Sequence, residues 1–194
     1  FKFRQEMIKY FLLVALAAIS FSALSQDNYT PHPSINPQNI EKERGKKNLN
    51  LEQLLHIIED SITFKNKVII PKGLTEFERA LLVGRRIQHN DSQMVAVKIF
   101  NYLLEFEFYR TKGEELYLKL LIGNSIKYIG APLVSYNYTK EVFPAIFKEI
   151  KSKNLKAFFL NHHSNLLTQI DSFKIAKKYY LQNIETYEEL DSAK

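Results

Sequence analysis

Leu81–Leu104 reads LLVGRRIQHNDSQMVAVKIFNYLL, Leu120–Val142 reads LLIGNSIKYIGAPLVSYNYTKEV, and Leu160–Asn183 reads LNHHSNLLTQIDSFKIAKKYYLQN. In register, Gly84, Gly123 and Ser164 fall at one position, and Ala96, Ser135 and Ala176 at another. Between them lie the turn residues Asn90-Asp91, Gly130-Ala131-Pro132 and Asp171-Ser172. Antiparallel helices approach closely only where a small residue on each admits the other's side chains. A mid-helix glycine costs about 1 kcal/mol relative to alanine, so glycine at matching places in two helices calls for a packing reason. The spacing predicts three helix pairs in which Gly84 faces Ala96, Gly123 faces Ser135 and Ser164 faces Ala176. Phe100 and Tyr180, four residues after the small position, are expected to fill the gap to a neighbouring pair.

Working outward, Thr75 and Glu78 form a capping box, which predicts a helix start at Thr75. Upstream, Leu51, Leu54, Leu55, Ile58 and Ile62 recur at three- and four-residue steps and predict an amphipathic helix, with Lys65–Gly73 as its connector to Thr75. Pro144 falls inside the second helix of the middle unit, where it is expected to kink or split that helix.

The pattern resembles the tetratricopeptide repeat, a helix-turn-helix unit that stacks into a superhelix. The resemblance covers residues 75–194. Ala96 to Ser135 is 39 residues and Ser135 to Ala176 is 41, against a family period of about 34. The chain departs from the family pattern in carrying Ala80, Lys119 and Leu160 at the early aromatic position, Thr139 at a later aromatic one, and no proline at the repeat ends. The expected fold is therefore all-α: an antiparallel helix-pair solenoid, a tetratricopeptide-like superhelix, over residues 75–194. Residues 49–74 supply an N-terminal helix and connector. A stacked array needs a polar terminal cap; either Lys177–Leu190 supplies it, or the array continues past Lys194, which is the favoured expectation.

Lys2, Arg4 and Lys9 precede the apolar run Phe11–Phe21, and Ala23-Leu24-Ser25 offers a signal-peptidase site before Gln26. Residues 1–25 are thus expected to be a secretory signal. Met7 opens a complete signal of its own and is the expected true start. Residues 26–48 contain Pro31, Pro33 and Pro37 with few apolar residues, and are expected to be a disordered linker.

The chain has 194 residues, 27 Lys+Arg against 21 Asp+Glu, and no cysteine or tryptophan. Absence of cysteine excludes a disulfide scaffold, a thiolate metal site and a cysteine nucleophile. Residues 1–25 hold three of the cations and one of the anions, so the remainder carries +4, too mild to argue for nucleic acid. No Gly-rich phosphate loop, GxSxG or HExxH occurs. His162 and His163 are adjacent, and helical neighbours point about 100° apart, which is wrong for sharing one ion. Glu114-Glu115 and Glu188-Glu189 read as solvated acids near helix ends. No catalytic, cofactor or metal site is assigned.

The resemblance implies that the first helix of each pair lines a concave face that binds a protein or peptide. Projecting that face selects Arg85, Gln88, Asn124, Lys127, Tyr128, Asn161 and Asn165, with Glu78 and Tyr117 also on it. Asparagine offers donor and acceptor to a peptide backbone, while Arg85 and Lys127 suit a carboxylate. Together with the amino-terminal signal and the linker, the resemblance implies a non-catalytic, exported, periplasmic interaction domain. Such domains form the sensory front of signalling proteins that continue into a histidine kinase or a helix-turn-helix regulator. The alternatives are a self-contained periplasmic scaffold and, last, a secreted enzyme with an unrecognised site.

Overall fold

The computed structural model describes residues 36–43, 46, 49–63, 72–90 and 92–191. Among them it is all-α, with nine helices and no strand. These are α1 Pro37–Lys42, α2 Leu51–Thr63, α3 Glu76–His89, α4 Gln93–Glu105, α5 Lys112–Tyr128, α6 Pro132–Thr139, α7 Val142–Glu149, α8 Lys153–Gln169 and α9 Phe173–Asp191. The expected signal at 1–25, with Met7, and the first part of the expected linker lie outside the described residues.

Each helix pair closes through the same turn chemistry. The turns span 90–92, 129–131 and 170–172. In each, the last turn amide donates back to the carbonyl of a matched position: Ser92 to Ile87 at 3.2 Å, Ala131 to Ile126 at 3.2 Å, and Ser172 to Leu167 at 2.9 Å. This bond captures an orphan carbonyl of the helix end. In the second and third turns a left-handed residue, Gly130 (φ 92°) and Asp171 (φ 57°) respectively, stands just before the donor. Thr75 accepts from the Glu78 amide at 3.3 Å while Glu78 accepts from the Thr75 amide at 2.9 Å, so the capping box starts α3 as expected.

Close approach occurs at the small residues: Gly123 meets its expected partner Ser135, and the nearest side chains over Gly84 and Gly123 come from residues one turn further along the second helix. A Cβ on Gly84 would lie 2.6 Å from Phe100 Cε1 and 3.1 Å from Ile99 Cγ2, so the Phe100 ring lies on the glycine within its own pair. At Gly123 an added Cβ would collide with Thr139 Cγ2, and Ser135 Oγ donates to the Gly123 carbonyl at 2.7 Å. In the third pair, Tyr180 Oη donates to Asn165 Oδ1 at 2.6 Å, from α9 to α8. Phe100 and Tyr180 thus touch their own pair. Helical side chains lean toward the N-terminus, so the spot above one residue is covered by a residue further along the chain.

Four other features complete the frame. α4 packs on both α3 and α5, and α5 packs on α6 and α7. The break between α6 and α7 falls at Lys140–Glu141, just before Pro144, whose ring would clash with the Lys140 carbonyl in a continuous helix. Leu54, Leu55 and Ile58 form the buried stripe of α2. α1, inside the expected linker, corrects that expectation: Asn36 Oδ1 caps the Gln38 and Asn39 amides, Pro37 sits at the first helical position, and Ile40 is 2% exposed.

Glu114 is also corrected, from solvated to buried. Arg110 Nη2 donates to it at 2.6 Å and also to Glu78 at 3.3 Å, joining the starts of α5 and α3. Glu78 additionally accepts from the Leu49 amide at 3.0 Å. Glu78 therefore serves the scaffold and does not face a ligand.

Candidate functional site

Four helices, α2, α3, α5 and α8, contribute to one polar cluster. Its centre is Glu59 of α2, which receives Arg85 Nε at 3.2 Å, Arg85 Nη2 at 3.0 Å and Tyr117 Oη at 2.6 Å. The fork-to-carboxylate geometry is the strong form of this pairing. Arg85 and Gln88 lie on one face of α3, three residues apart, and Arg85 Nη1 donates to Gln88 Oε1 at 3.1 Å. Gln88 Nε2 passes the network to α5 through the Leu121 carbonyl and Ser125 Oγ, both at 2.7 Å. Arg85, Gln88, Tyr117 and Ser125 are all buried.

α2 is therefore placed across the helices expected to form an open face. Besides Glu59, its Leu51 packs on Gly113 of α5, and Glu52 accepts from the Ser152 amide at 2.7 Å and from the Lys151 amide at the start of α8. Arg85 and Gln88, expected to meet a ligand, are buried, Arg85 bonded to this helix and Gln88 to α5. Arg85 does hold a carboxylate, but one from its own chain.

The remaining expected residues make no hydrogen bond to α2 among the described residues. Lys127 is only 7% exposed, makes no ion pair among the described residues, and places its ammonium 4.4 Å from the Tyr128 ring centre. Burial, with a smaller contribution from the Arg85 charge, lowers its pKa to about 8. Tyr128 is 56% exposed. It helps wall an open groove of about 370 Å³ with Ser92, Gln93, Met94, Val95 and Ile129. Gln93 Oε1 is buried there without a hydrogen-bond partner among the described residues. Asn124 is half-buried and lines a cavity of about 20 Å³ with Thr139, His162 and His163, large enough for one water. Asn161 and Asn165 are exposed on α8.

The structure thus joins Lys127 to Tyr128 and to the charge of Arg85, and links Asn124 to His162. Asn165, bonded to Tyr180, belongs to the α8–α9 contact.

Charge balance gives the cluster its character. Glu59 and Arg85 offset one another, leaving Lys127 as surplus positive charge. Burial, then Lys127 and Arg85, depresses His162 to a pKa of about 3, so it stays neutral beside these cations. Tyr117 is raised well above the ordinary phenol value, first by burial and then by Glu59, which keeps it a proton donor to that carboxylate. Glu59 and His162 were not selected from sequence. Glu59 follows Leu55 by four residues, on the edge of the buried stripe of α2, which was the available signal.

His163, on the wall of the same small cavity, is packed between α7 and α9. Its ring stacks on Phe143 of α7 at 3.9 Å and 7°, and meets Tyr179 of α9 edge-on at 4.9 Å. Burial lowers its pKa to about 4. The unfolded chain takes up a proton near pH 6.5 while the folded chain resists it to about 4. The associated stability is complete above pH 6.5 and drains away as pH falls through that window, at about 1.4 kcal/mol per pH unit for each such histidine. His163→Phe, which preserves the stack, is expected to flatten the decline of the melting temperature between about pH 6.5 and 5. An unchanged slope would remove His163 from the acid response.

The chain matches no family model, no curated protein and no solved structure.

Proposed function

We propose that this is a non-catalytic, tetratricopeptide-like helical-repeat domain that captures a carboxylate-bearing peptide or protein segment at Lys127. The observation carrying the reading is that buried ammonium: it has no anion among the described residues and is flanked by Tyr128, a groove and half-buried Asn124. A partly desolvated cation gains more from an incoming carboxylate than one in water does. Asn124, Asn161 and Tyr128 then contact the rest of the ligand, while the Arg85 charge adds to the positive potential at Lys127. Glu59 on Arg85 is an internal example of the chemistry an incoming acid brings.

Three matched turns with one repeated hydrogen bond, and small residues at matched positions, support the stacked-solenoid reading. The amino-terminal charge, apolar run and small-residue exit support export, with maturation before Gln26. In this reading the domain is the sensory portion of a periplasmic signalling protein. Amino-terminal sequencing of the exported form should start at Gln26; a retained amino terminus would contradict cleavage.

The binding test uses short peptides ending in Glu or Asp, with free or amidated carboxyl ends. Lys127→Met is the informative variant, because replacing a buried unpaired cation by an apolar side chain of similar length preserves or raises stability. Affinity for the acidic peptides is expected to fall about tenfold or more, about 1.4 kcal/mol or above. Asn124→Ala is expected to weaken binding less. Equal binding by Lys127→Met and the parent would discard the site.

A further inference from the structure

The final helix, α9, carries its charges in an order that its own backbone does not favour. Lys174, Lys177 and Lys178 occupy its first turns, while Glu185, Glu188 and Glu189 occupy its last. No acid lies in the first turn and no base in the last. The helix dipole prefers the reverse. Nor do the charges pair along the helix, since no lysine here stands three or four residues from a glutamate of the set. Glu189 reaches Lys153 of α8 at 2.7 Å, whereas Lys174, Lys177, Lys178, Glu185 and Glu188 are exposed.

Leu181 stands at the centre of this face, 50% exposed, with Ile184 beside it at 52%. Ala176 and Asn183 mark the opposite, buried side. Lys177 precedes Leu181 by four residues and Glu185 follows it by four; Lys174 precedes by seven and Glu188 follows by seven. Steps of four and seven keep all of them on the Leu181 face of a helix. Two copies of α9 laid antiparallel about a two-fold axis at Leu181 therefore set Lys177 opposite Glu185 and Lys174 opposite Glu188, each pair twice. Leu181 meets its own copy, and the Lys178 stem covers Ile184. A two-fold contact requires such self-complementarity, with residue i meeting j and j meeting i.

We propose that the outer face of α9 is a self-association surface and that its occupant is α9 of a second copy of this chain, antiparallel. The charge order that is unfavourable within one helix becomes complementary between two. A contact of one helix per protomer is at the small end of specific interfaces, so the dimer is a reversible one that forms at micromolar concentration or above.

The test is sedimentation of the full chain over about 1–200 μM, a range bracketing affinities of about −8 kcal/mol to −5 kcal/mol. The parent is expected to shift from monomer to dimer across it. Lys177→Glu and Glu185→Lys each place like charges opposite one another, and each is expected to weaken dimerisation at least tenfold. Mixed in equal amounts the two variants restore opposite signs, and a heterodimer is expected at the parent's affinity; it also shows that both variants remain folded. A parent that stays monomeric overturns the proposal, including one in which another part of the chain covers Leu181. A dimer indifferent to both reversals, or a mixture that fails to associate, overturns it as well.

Discussion

Gly123→Ala is expected to destabilise the protein by about 2 kcal/mol, where an exposed helical position would gain about 1 kcal/mol from the same change. The inversion of sign follows from Thr139, whose Cγ2 occupies the place of the missing Cβ. Thr139 has little freedom to withdraw: it is buried, β-branched, and its hydroxyl donates to the Ser135 carbonyl at 2.8 Å. Thr139→Ser keeps that hydrogen bond and removes the obstructing methyl. In the Thr139→Ser background, Gly123→Ala is therefore expected to be neutral or stabilising. Urea denaturation of the parent, both single variants and the double variant gives the coupling energy directly. If Gly123→Ala stabilises the parent, the two helices do not approach as closely as described.

Glu59→Gln is expected to cost about 3 kcal/mol, because it keeps the shape of the side chain while leaving the Arg85 guanidinium buried without its counter-charge. The loss is aggravated by Lys127, a second cation acting on the same region. Glu59→Met combined with Arg85→Met is expected to cost less than either single change, since it removes both charges from an apolar setting. The same denaturation experiment measures it. Additive losses would mean that the pair does not interact as the 3.0 Å contact requires.

Both experiments bear on what could be read from residue order. Turns and helix limits were legible because they are set locally: Thr75 with Glu78 starts α3, Gly130 ends α5, and Pro144 divides the second helix of the middle pair. The small residues marked where helices approach, and Ser135 does meet Gly123, while the side chains lying over Gly84 and Gly123, Phe100 and Thr139, come from one turn further along. Pro37 counted toward the expected linker, although proline at a helix start is compatible with the helix it opens.

The candidate site was less legible. Arg85, Gln88 and Lys127 lie on the predicted face, yet a charge on a helix reads the same whether water or another helix covers it. Only tertiary packing brings Glu59, from 26 positions earlier in the chain, onto Arg85. Glu114 was misread for the same reason, its partner Arg110 being four residues away and its burial dependent on Glu78 of another helix. Lys127 differs from its neighbours in having no such partner among the described residues, and this distinction is visible only in three dimensions.

The most direct measurement is an NMR pH titration of the Lys127 side chain, free and with a saturating short peptide ending in acidic residues. The account requires a pKa near 8 in the free protein and a clear rise when the peptide's carboxylate arrives. A Lys127 resonance that titrates in the ordinary lysine range, or one left unmoved by bound peptide, would contradict it.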